Sequence, residues 1–288
     1  MKRTGQPEKK PRGFGSLPKG KYDSGLTKFE QALIAAGRDP ADIIELLDTD
    51  EDYRNRLAEF ASRGDVEVPI DHRLARAVMS TNFFGIEEWT SLYGVTLPDK
   101  KLRTVAKFPW DKEVLAGVCP FYPKKKIHET HFAFLGMKVI GSAPLTINHL
   151  QTIHPADGQP RFSSYPPDSW FTSHNFAVKI TCELRWYLAL KEVVPGSTSK
   201  WWNDQLAMLP PEYEPPTGIM EVTKDLMCYK KHQVYPNQDV YARCDSLTTN
   251  DNRVDVGDCN PSGVDVSGWN DEPRSYIGIG AFRKLPGT

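Results

Sequence analysis

Apolar side chains recur at helical spacing through the first third of the chain. Asp39 and Pro40 supply an N-cap and a first-turn proline ahead of an apolar run that begins at Ile43, an arrangement typical of a helix start. Residues 1–23 are rich in lysine, glycine and proline and have almost no apolar side chains. Such a composition cannot offset the entropy lost on ordering. The pattern therefore predicts a disordered tail over 1–23 and a small helical region over 24–104.

Further helical segments are predicted inside this region. Thr27 is followed three residues later by Glu30, which is the spacing of a capping box. The segment 50–62 carries apolar and aromatic residues on one stripe, and shorter helical patterns continue to about Leu92. We expect a helix to begin near Thr27 and another to occupy 50–62.

The pattern changes at about Val105, where prolines, aromatic residues and short apolar runs replace the helical spacing. Such runs favour β-strands joined by ordered loops. One helix is predicted within this part, over Thr217–Lys231, because apolar residues share one face there and Pro215 and Pro216 precede it. The chain from 105 to 288 is otherwise expected to be mainly β structure, which makes the whole protein α+β.

Apolar and polar residues alternate in two stretches of the segment 253–269. It contains two Val-Asp-Val triplets, and successive side chains of a strand point to opposite faces of the sheet. The residues expected on the buried face are Val254, Val256, Val264 and Val266, and those expected on the opposite face are Asp255 and Asp265. The run 276–284 repeats the alternation at Ile277 and Ile279. Most residues between these anchors are small, polar or aromatic, the mixture that binding loops use.

Composition narrows the possible functions. The chain has 36 basic and 37 acidic residues and a net charge of −1, which gives no electrostatic argument for nucleic acid or for an anionic membrane. No apolar stretch has the length that spans a bilayer, and the basic start lacks the apolar segment of a signal peptide. The five cysteines are widely spaced and match neither a disulfide framework nor a zinc motif. We therefore expect free structural thiols, no membrane insertion, no nucleic-acid partner and no export by a signal peptide.

The segment that starts at Asp258 has the opening of a calcium loop. Asp258, Asn260, Ser262 and Gly263 match that opening, but the twelfth position is Trp269, where the ion needs a bidentate glutamate. We interpret the match as coincidence. The sequence predicts no metal ion and no cofactor.

Other catalytic motifs are weak or missing in the sequence. His128 and His131 lack the H-E-x-x-H spacing and a third ligand, so we interpret them as surface or packing histidines. There is no G-x-S-x-G elbow and no glycine-rich phosphate loop. The basic run 124–126 has no interleaved aromatic residues and is interpreted as a solvated loop. These observations favour a binding protein over an enzyme.

Several short segments carry a resemblance to a known family. They are Y-A-R-C (241–244), N-R-V-D-V-G (252–257), G-V-D-V (263–266), I-G-I-G-A-F-R-K (277–284) and, upstream, P-W-D-K-E-V-L-A-G-V-C-P-F (109–121), T-H-F-A-F-L-G (130–136), W-Y-L (186–188) and A-M-L-P-P-E-Y-E-P-P-T (207–217). In their order along the chain and in their residue types, these segments resemble the variable, or target, proteins of diversity-generating retroelements, including those of archaeal viruses. The resemblance covers about residues 105–288 and leaves the helical region unassigned.

The resemblance implies a fold and a function. The fold would be a C-type lectin fold of the branch also used by formylglycine-generating enzymes, with a variable region at about 240–286. The family's terminal strand ends in a G-F-R-like signature, matched here by Ala281-Phe282-Arg283 with alanine in place of glycine. In the family, a reverse transcriptase copies a template repeat with errors at adenines, and the copy replaces the variable repeat.

This mechanism would leave a trace in the residue types. Asparagine codons would become codons for many residues, but not for lysine, methionine, tryptophan, glutamine or glutamate. No lysine occurs from His232 to Arg283, although the rest of the chain is rich in lysine. Trp269 and Glu272 would then be fixed positions.

Alternation within the resembling region selects the residues expected to vary and to bind ligand. They are Asp255, Asp258, Cys259, Asn260, Ser262, Asp265, Ser267, Gly268, Asn270, Asp271, Arg274, Ser275 and Tyr276. Recognition would be non-covalent, with Tyr276 and Arg274 as anchors, because tyrosine and arginine are enriched at binding hot spots. The implied partner is an unknown protein or cell-surface ligand, and the implied location is a virion or cell surface. We expect Asp255→Tyr to leave folding intact and Val256→Asp to prevent it.

The alternative function is a C-type-lectin-like enzyme or a calcium-dependent carbohydrate-binding protein. Catalytic relatives in the formylglycine-generating branch use an active cysteine pair, for which Cys244 and Cys259 are the candidates here. Cys259 falls at a position expected to vary, and neither cysteine lies in a matching motif. The binding hypothesis is therefore preferred.

Overall fold

The computed structural model describes residues 18–35, 38–51, 53–55, 57 and 70–287. The chain divides into two compact units, Met1–Val66 and Glu67–Thr288. The boundary expected at 104/105 therefore lies inside the second unit. The reason is that Phe83 and Phe84 form a strand of a sheet in that unit.

Two helices of the first unit are described, Lys19–Ala35 and Pro40–Thr49. The second begins as predicted. The Asp39 side chain accepts a hydrogen bond from the Ala41 N–H at 2.9 Å, and Pro40 occupies the first turn.

The first helix differs from its prediction. It begins at Lys19, well before Thr27, so the capping box is wrong, and the Thr27 hydroxyl instead donates to the Asp23 carbonyl at 3.0 Å. Residues 19–23, assigned to the disordered tail, are helical, and residues 1–17 lie outside the described residues. Most of the predicted helix over 50–62 lies outside them too.

The second unit contains both helices and strands. Its α-helices are Ile70–Met79, Ile86–Tyr93, Asp99–Thr104, Lys112–Ala116, Ile127–Thr130, Ile147–Ile153, Asn175–Val178, Trp202–Leu206 and Gly218–His232, and its 3₁₀ helices are Ser80–Asn82 and Trp170–Ser173. Its strands are β1 (Phe83–Phe84), β2 (Val118–Cys119), β3 (Tyr122–Lys126), β4 (His131–Leu135), β5 (Val139–Ile140), β6 (Ala143–Pro144), β7 (Trp186–Leu190), β8 (Tyr213–Glu214), β9 (Tyr241–Leu247), β10 (Arg253–Asn260), β11 (Gly263–Trp269), β12 (Ile277–Ile279) and β13 (Phe282–Arg283). Within the described ranges, no helix combines the length and the apolar content needed to cross a membrane.

A five-stranded sheet has the order β1-β4-β7-β13-β8. Every residue of β4 and β7 is buried, which explains why these strands read as continuous apolar runs instead of alternating. Strand β13 lies between β7 and β8, antiparallel to both. The Phe282–Arg283 segment is thus an interior strand of this sheet.

The helix Gly218–His232, called the central helix below, confirms the prediction over Thr217–Lys231. It packs against β4 of the five-stranded sheet and against β9, β10 and β11 of a second sheet. A Cβ atom at Gly218 would lie 3.0 Å from Val254 Cγ1, so glycine lets the helix start approach β10 closely. Helices and small sheets together confirm the α+β class.

The second sheet has four strands in the order β11-β10-β9-β12. Its inner face, turned to the central helix, carries the valines predicted to be buried. Val254, Val256, Val264 and Val266 are each at most 2% exposed. Ile277 and Ile279 are buried as well, so the burial of the predicted apolar anchors is confirmed. They pair with Tyr241 and Arg243 of β9, however, and therefore belong to the opposite face of the sheet.

Candidate functional site

The outer face of the four-stranded sheet is the face turned away from the central helix. Asp255 of β10 pairs with Ser267 of β11 and with Arg243 of β9. Directly paired residues of neighbouring strands point to the same side of a sheet, and Tyr241 and Trp269 follow the same register. This face divides into a covered part, around Arg243 and Asp255, and an open part beside it.

The cover is the segment 270–276, which connects β11 to β12. Because these strands lie at opposite edges of the sheet, their connection must cross one of its faces. Arg243 fixes this crossing by donating to the Glu272 carbonyl at 2.9 Å, and it also donates to Gln205 Oε1 at 3.1 Å. Arg243 Nε lies 3.6 Å from Asp255 Oδ1. The covered part therefore contains a buried contact between an arginine and an aspartate, enclosed by protein.

Asp255 was predicted to be an exposed binding residue, and that prediction of exposure is wrong. Its side chain points away from the valines as expected, but the carboxyl is fully buried beside Arg243. Burial raises the pKa of the Asp255 carboxyl to about 8, although Arg243 acts in the opposite direction. Asp255 is thus part of the folded interior.

The open part of the outer face forms a concavity of about 410 Å³. The residues that line it are Asp239, Tyr241, Asp258, Ser267, Trp269 and Tyr276. It is called the aromatic concavity below. Three of the residues predicted from the sequence, Asp258, Ser267 and Tyr276, meet here.

Three aromatic rings form walls of the concavity. The ring centroids of Tyr241 and Tyr276 are 6.1 Å apart with an interplanar angle of 64°, and those of Trp269 and Tyr276 are 6.4 Å apart at 71°. The rings therefore face different directions and are not stacked. The guanidinium carbon of Arg274 lies 5.0 Å from the Trp269 ring centroid, within the range of a cation–π contact.

Carboxylates accompany these rings. The Tyr241 hydroxyl donates to Asp265 Oδ2 at 2.8 Å, and the Ser163 hydroxyl donates to Asp265 Oδ1 at 2.6 Å. Burial and then the bond to Asp265 raise the pKa of Tyr241, so its hydroxyl stays protonated and fixes its ring. Asp239 and Asp258 adopt φ angles of 59° and 41°, in the left-handed region that aspartate tolerates better than most residues.

The predicted binding residues separate by exposure. Ser262, Asn270, Asp271 and Ser275 are exposed; Asp258, Asn260, Asp265, Ser267, Gly268, Arg274 and Tyr276 are half-buried; Asp255 and Cys259 are buried. Among those that are not buried, Asn260 and Ser262 form the β10–β11 turn, where Asn260 Oδ1 accepts from the Ser262 N–H at 2.7 Å.

Cys259 was also predicted to lie on the surface, and this is wrong. A β-bulge interrupts the register between Gly257 and Asn260, and Asp258 within it has a left-handed φ. A bulge shifts the alternation of side chains by one residue. Cys259 consequently points inward, and its thiol lies 3.4 Å from Asp225 Oδ2 of the central helix.

Gly268 is a third residue whose assignment changes. It pairs with Val254, so it belongs to the inner face. A Cβ atom here would lie 3.1 Å from Thr248 Cγ2 and 3.2 Å from Trp170 Cη2. These contacts are tighter than most real Cβ contacts, so the position has little room for a side chain.

The interior beneath Cys259 holds a group of buried charges. Lys224 Nζ donates to Glu221, lies 3.1 Å from Asp225 Oδ1 and donates to the Lys191 carbonyl at 2.9 Å. Burial raises the pKa of Asp225 to about 7, against the lowering effect of Lys224. These side chains are almost fully buried, so we assign them to the packing of the central helix.

The rival chemical sites have structural explanations. Within the described part of the chain, no three His, Cys, Asp or Glu side chains are grouped so that they could hold a metal ion. His131 is fully buried, with its Nε2 3.0 Å from the Tyr213 hydroxyl, and burial lowers its pKa to about 3. It is a neutral packing histidine.

All five cysteines are free and buried, which confirms the expectation of structural thiols. Burial raises the pKa of Cys244 and that of Cys259 well above the ordinary value. A protonated, enclosed thiol is a poor nucleophile. Neither cysteine has the environment of an active thiol.

The sequence-based set missed Tyr241 and Asp239, and it treated Trp269 only as a fixed position. Strand alternation could have identified Tyr241: Ala242 and Cys244 are buried, so Tyr241 lies on the other face of the sheet. Asp239 offered no such signal, because it precedes the strand.

Comparison of the chain with models of known protein families, with curated proteins and with solved structures gives no match.

Proposed function

We propose that the chain is a ligand-binding display protein whose C-terminal surface residues are diversified by a retroelement. It would recognise a protein or another surface ligand without covalent chemistry. One observation carries the proposal. Within 253–276, fully buried apolar anchors alternate with polar and aromatic residues that surround an open concavity.

This separation is what a diversified surface requires. The anchors Val254, Val256, Val264 and Val266 contribute the packing against the central helix. Side chains around the concavity contribute little to that packing. Substitution there costs little stability at positions without special contacts, because such surface changes usually alter it by under about 0.5 kcal/mol. Substitution of Asp265, which accepts hydrogen bonds from Tyr241 and Ser163, should cost more.

The structure reduces the set of residues proposed to vary. Asp255, Cys259 and Gly268 are removed, for the reasons given above. The set is then Asp258, Asn260, Ser262, Asp265, Ser267, Asn270, Asp271, Arg274, Ser275 and Tyr276. Trp269 and Glu272 are kept as fixed positions.

The proposed fold is a C-type lectin fold of the formylglycine-generating branch. Two observations support it. The chain is α+β, and Phe282–Arg283, at the signature-like segment, forms an interior strand of the five-stranded sheet. Because the second unit begins at Glu67, residues 67–104 would belong to the same domain. By the same resemblance, the protein would act on a virion or a cell surface.

Sequencing the DNA around the gene tests this proposal. We expect a reverse transcriptase gene nearby and a second copy of the segment that encodes residues 240–286, differing from the first at adenines. A completed genome without that second copy would contradict the proposal. If calcium also raised the melting temperature, the calcium-dependent alternative would take its place.

A further inference from the structure

The walls of the aromatic concavity have the geometry of a cage. Tyr241, Trp269 and Tyr276 present rings at angles of 64° and 71° to their neighbours, with centroids 6.1 and 6.4 Å apart. Rings set nearly at right angles enclose a compact group from several sides. A single exposed ring would instead favour the stacking of one flat ligand surface.

The charged residues that line the concavity have one sign. The six lining residues include two carboxylates, Asp239 and Asp258, and no basic side chain. The carboxylate of Asp265 borders it through the Tyr241 hydroxyl. The ring faces are themselves electron-rich, so aromatic walls and carboxylates favour the same kind of guest, a cation.

The chain already uses one of these walls for a cation. The Arg274 guanidinium carbon lies 5.0 Å from the centroid of Trp269, while its Nη2 lies 3.3 Å from Glu272 Oε2. Trp269 can therefore receive a guanidinium in this setting. Arg274 and Glu272 do not line the concavity, whereas Tyr241, Ser267, Trp269 and Tyr276 do.

We propose that the aromatic concavity receives the cationic end of a lysine or arginine side chain of a protein ligand. This inference rests on the proposed function, because it names the chemistry recognised at the same surface. The aliphatic stem would lie along the rings, and the charged end would approach Asp239 and Asp258. Recognition would combine cation–π attraction with ion pairing and would weaken as salt concentration rises.

Titration of the full chain with matched small probes tests the inference. The probes are the N-acetyl methylamides of lysine, arginine and norleucine, of which norleucine has a similar stem without the charge. The readout is the indole N–H signal of Trp269 in a proton–nitrogen correlation spectrum, assigned with Trp269→Phe. We expect saturable shifts with lysine and arginine and weaker binding of norleucine.

Variants then locate the site. Asp258→Asn preserves the side-chain shape and the tolerance of left-handed φ, and it should weaken lysine binding roughly 3-fold through the lost charge. Asp251→Asn is the matched control, because Asp251 is exposed, has a φ of 58° and does not line the concavity. It should leave binding unchanged. Trp269→Ala should weaken binding roughly 5-fold, with melting temperature recorded to show that the variant is folded.

Three results would overturn the inference. They are equal binding of norleucine and lysine, equal effects of Asp258→Asn and Asp251→Asn, or saturable binding of methyl glucoside where the cations do not bind. If a template copy of the 240–286 coding segment is found in the genome, any of these results contradicts only the inference that the concavity binds a cation and leaves the proposed function standing. Absence of that copy removes the proposed function, whatever the probes do.

Discussion

The covered and open parts of the outer face are made from neighbouring residues of the same strands. Asp255 and Ser267 pair directly, yet Asp255 is fully buried, whereas Ser267 lines the aromatic concavity. The strand pattern is the same for both. The difference comes from the segment 270–276, which crosses the sheet over Arg243. Alternation thus determines which way a side chain points, and strand order determines whether solvent lies in that direction.

The largest expected effect comes from breaking the contact between Arg243 and Asp255 in the covered part. At pH 9, where the Asp255 carboxyl is ionised, Arg243→Met should destabilise the protein by roughly 3–5 kcal/mol, because it leaves a buried carboxylate without its partner. The double change Arg243→Met with Asp255→Leu should recover most of that loss. Urea unfolding of the two single variants and the double variant measures the coupling. Additive losses would show that the two side chains do not act as a pair.

Replacing Asp255 by tyrosine and, in a second variant, Ser267 by tyrosine compares the covered part with the open part directly, because these two residues pair. Asp255→Tyr should cost roughly 2–4 kcal/mol, because it inserts a ring into enclosed space beside Arg243. Ser267→Tyr should cost under about 1 kcal/mol, because its ring can enter the open concavity. This replaces the sequence-based expectation that Asp255→Tyr is harmless, while Val256→Asp is still expected to prevent folding. Equal losses of melting temperature at 255 and 267 would remove the distinction between the two parts.

The covered part should also respond to pH. The folded-state pKa of Asp255 is raised to about 8 from an ordinary value of 3.8, so the folded protein holds this proton more tightly than the unfolded chain. Its contribution to stability is therefore largest below pH 4 and is lost as pH rises towards 8. Between pH 5 and 8, wild type should lose about 3–4 kcal/mol more than Asp255→Asn. Parallel pH profiles for the two proteins would contradict a raised pKa at this residue.

The smallest effect belongs to the open part. Tyr241→Phe removes the hydroxyl that donates to Asp265 at 2.8 Å and should cost about 1 kcal/mol. Tyr276→Phe is the control, since none of the hydrogen bonds within the described part of the chain involves its hydroxyl. Chemical denaturation of both variants gives the comparison. A loss at Tyr276 as large as that at Tyr241 would show that the rings are held by something else.

Local patterns predicted much of the fold. The Asp39 cap, the central helix after Pro215 and Pro216, and the buried valines all follow from interactions within a few residues. These features depend on local propensity and on periodicity, which a single sequence displays.

What the sequence did not predict depends on distant contacts. The burial of Asp255 requires knowing that β11 and β12 lie at opposite edges of the sheet. The inward turn of Cys259 requires the bulge at Asp258. The pairing of Phe83 with β4 can be predicted only if the strand order of the five-stranded sheet is known. None of these leaves a periodic signal in the chain.

Deep sequencing of the segment that encodes residues 240–286, amplified from a population of the source, tests the central claim most directly. The account predicts that replacements concentrate at the exposed and half-buried residues around the concavity, such as Ser267, Asn270 and Tyr276. Val254, Val256, Asp255 and Cys259 should stay constant. An even spread of replacements over both groups, or no replacements in either, would contradict the claim that this surface is a diversified binding site.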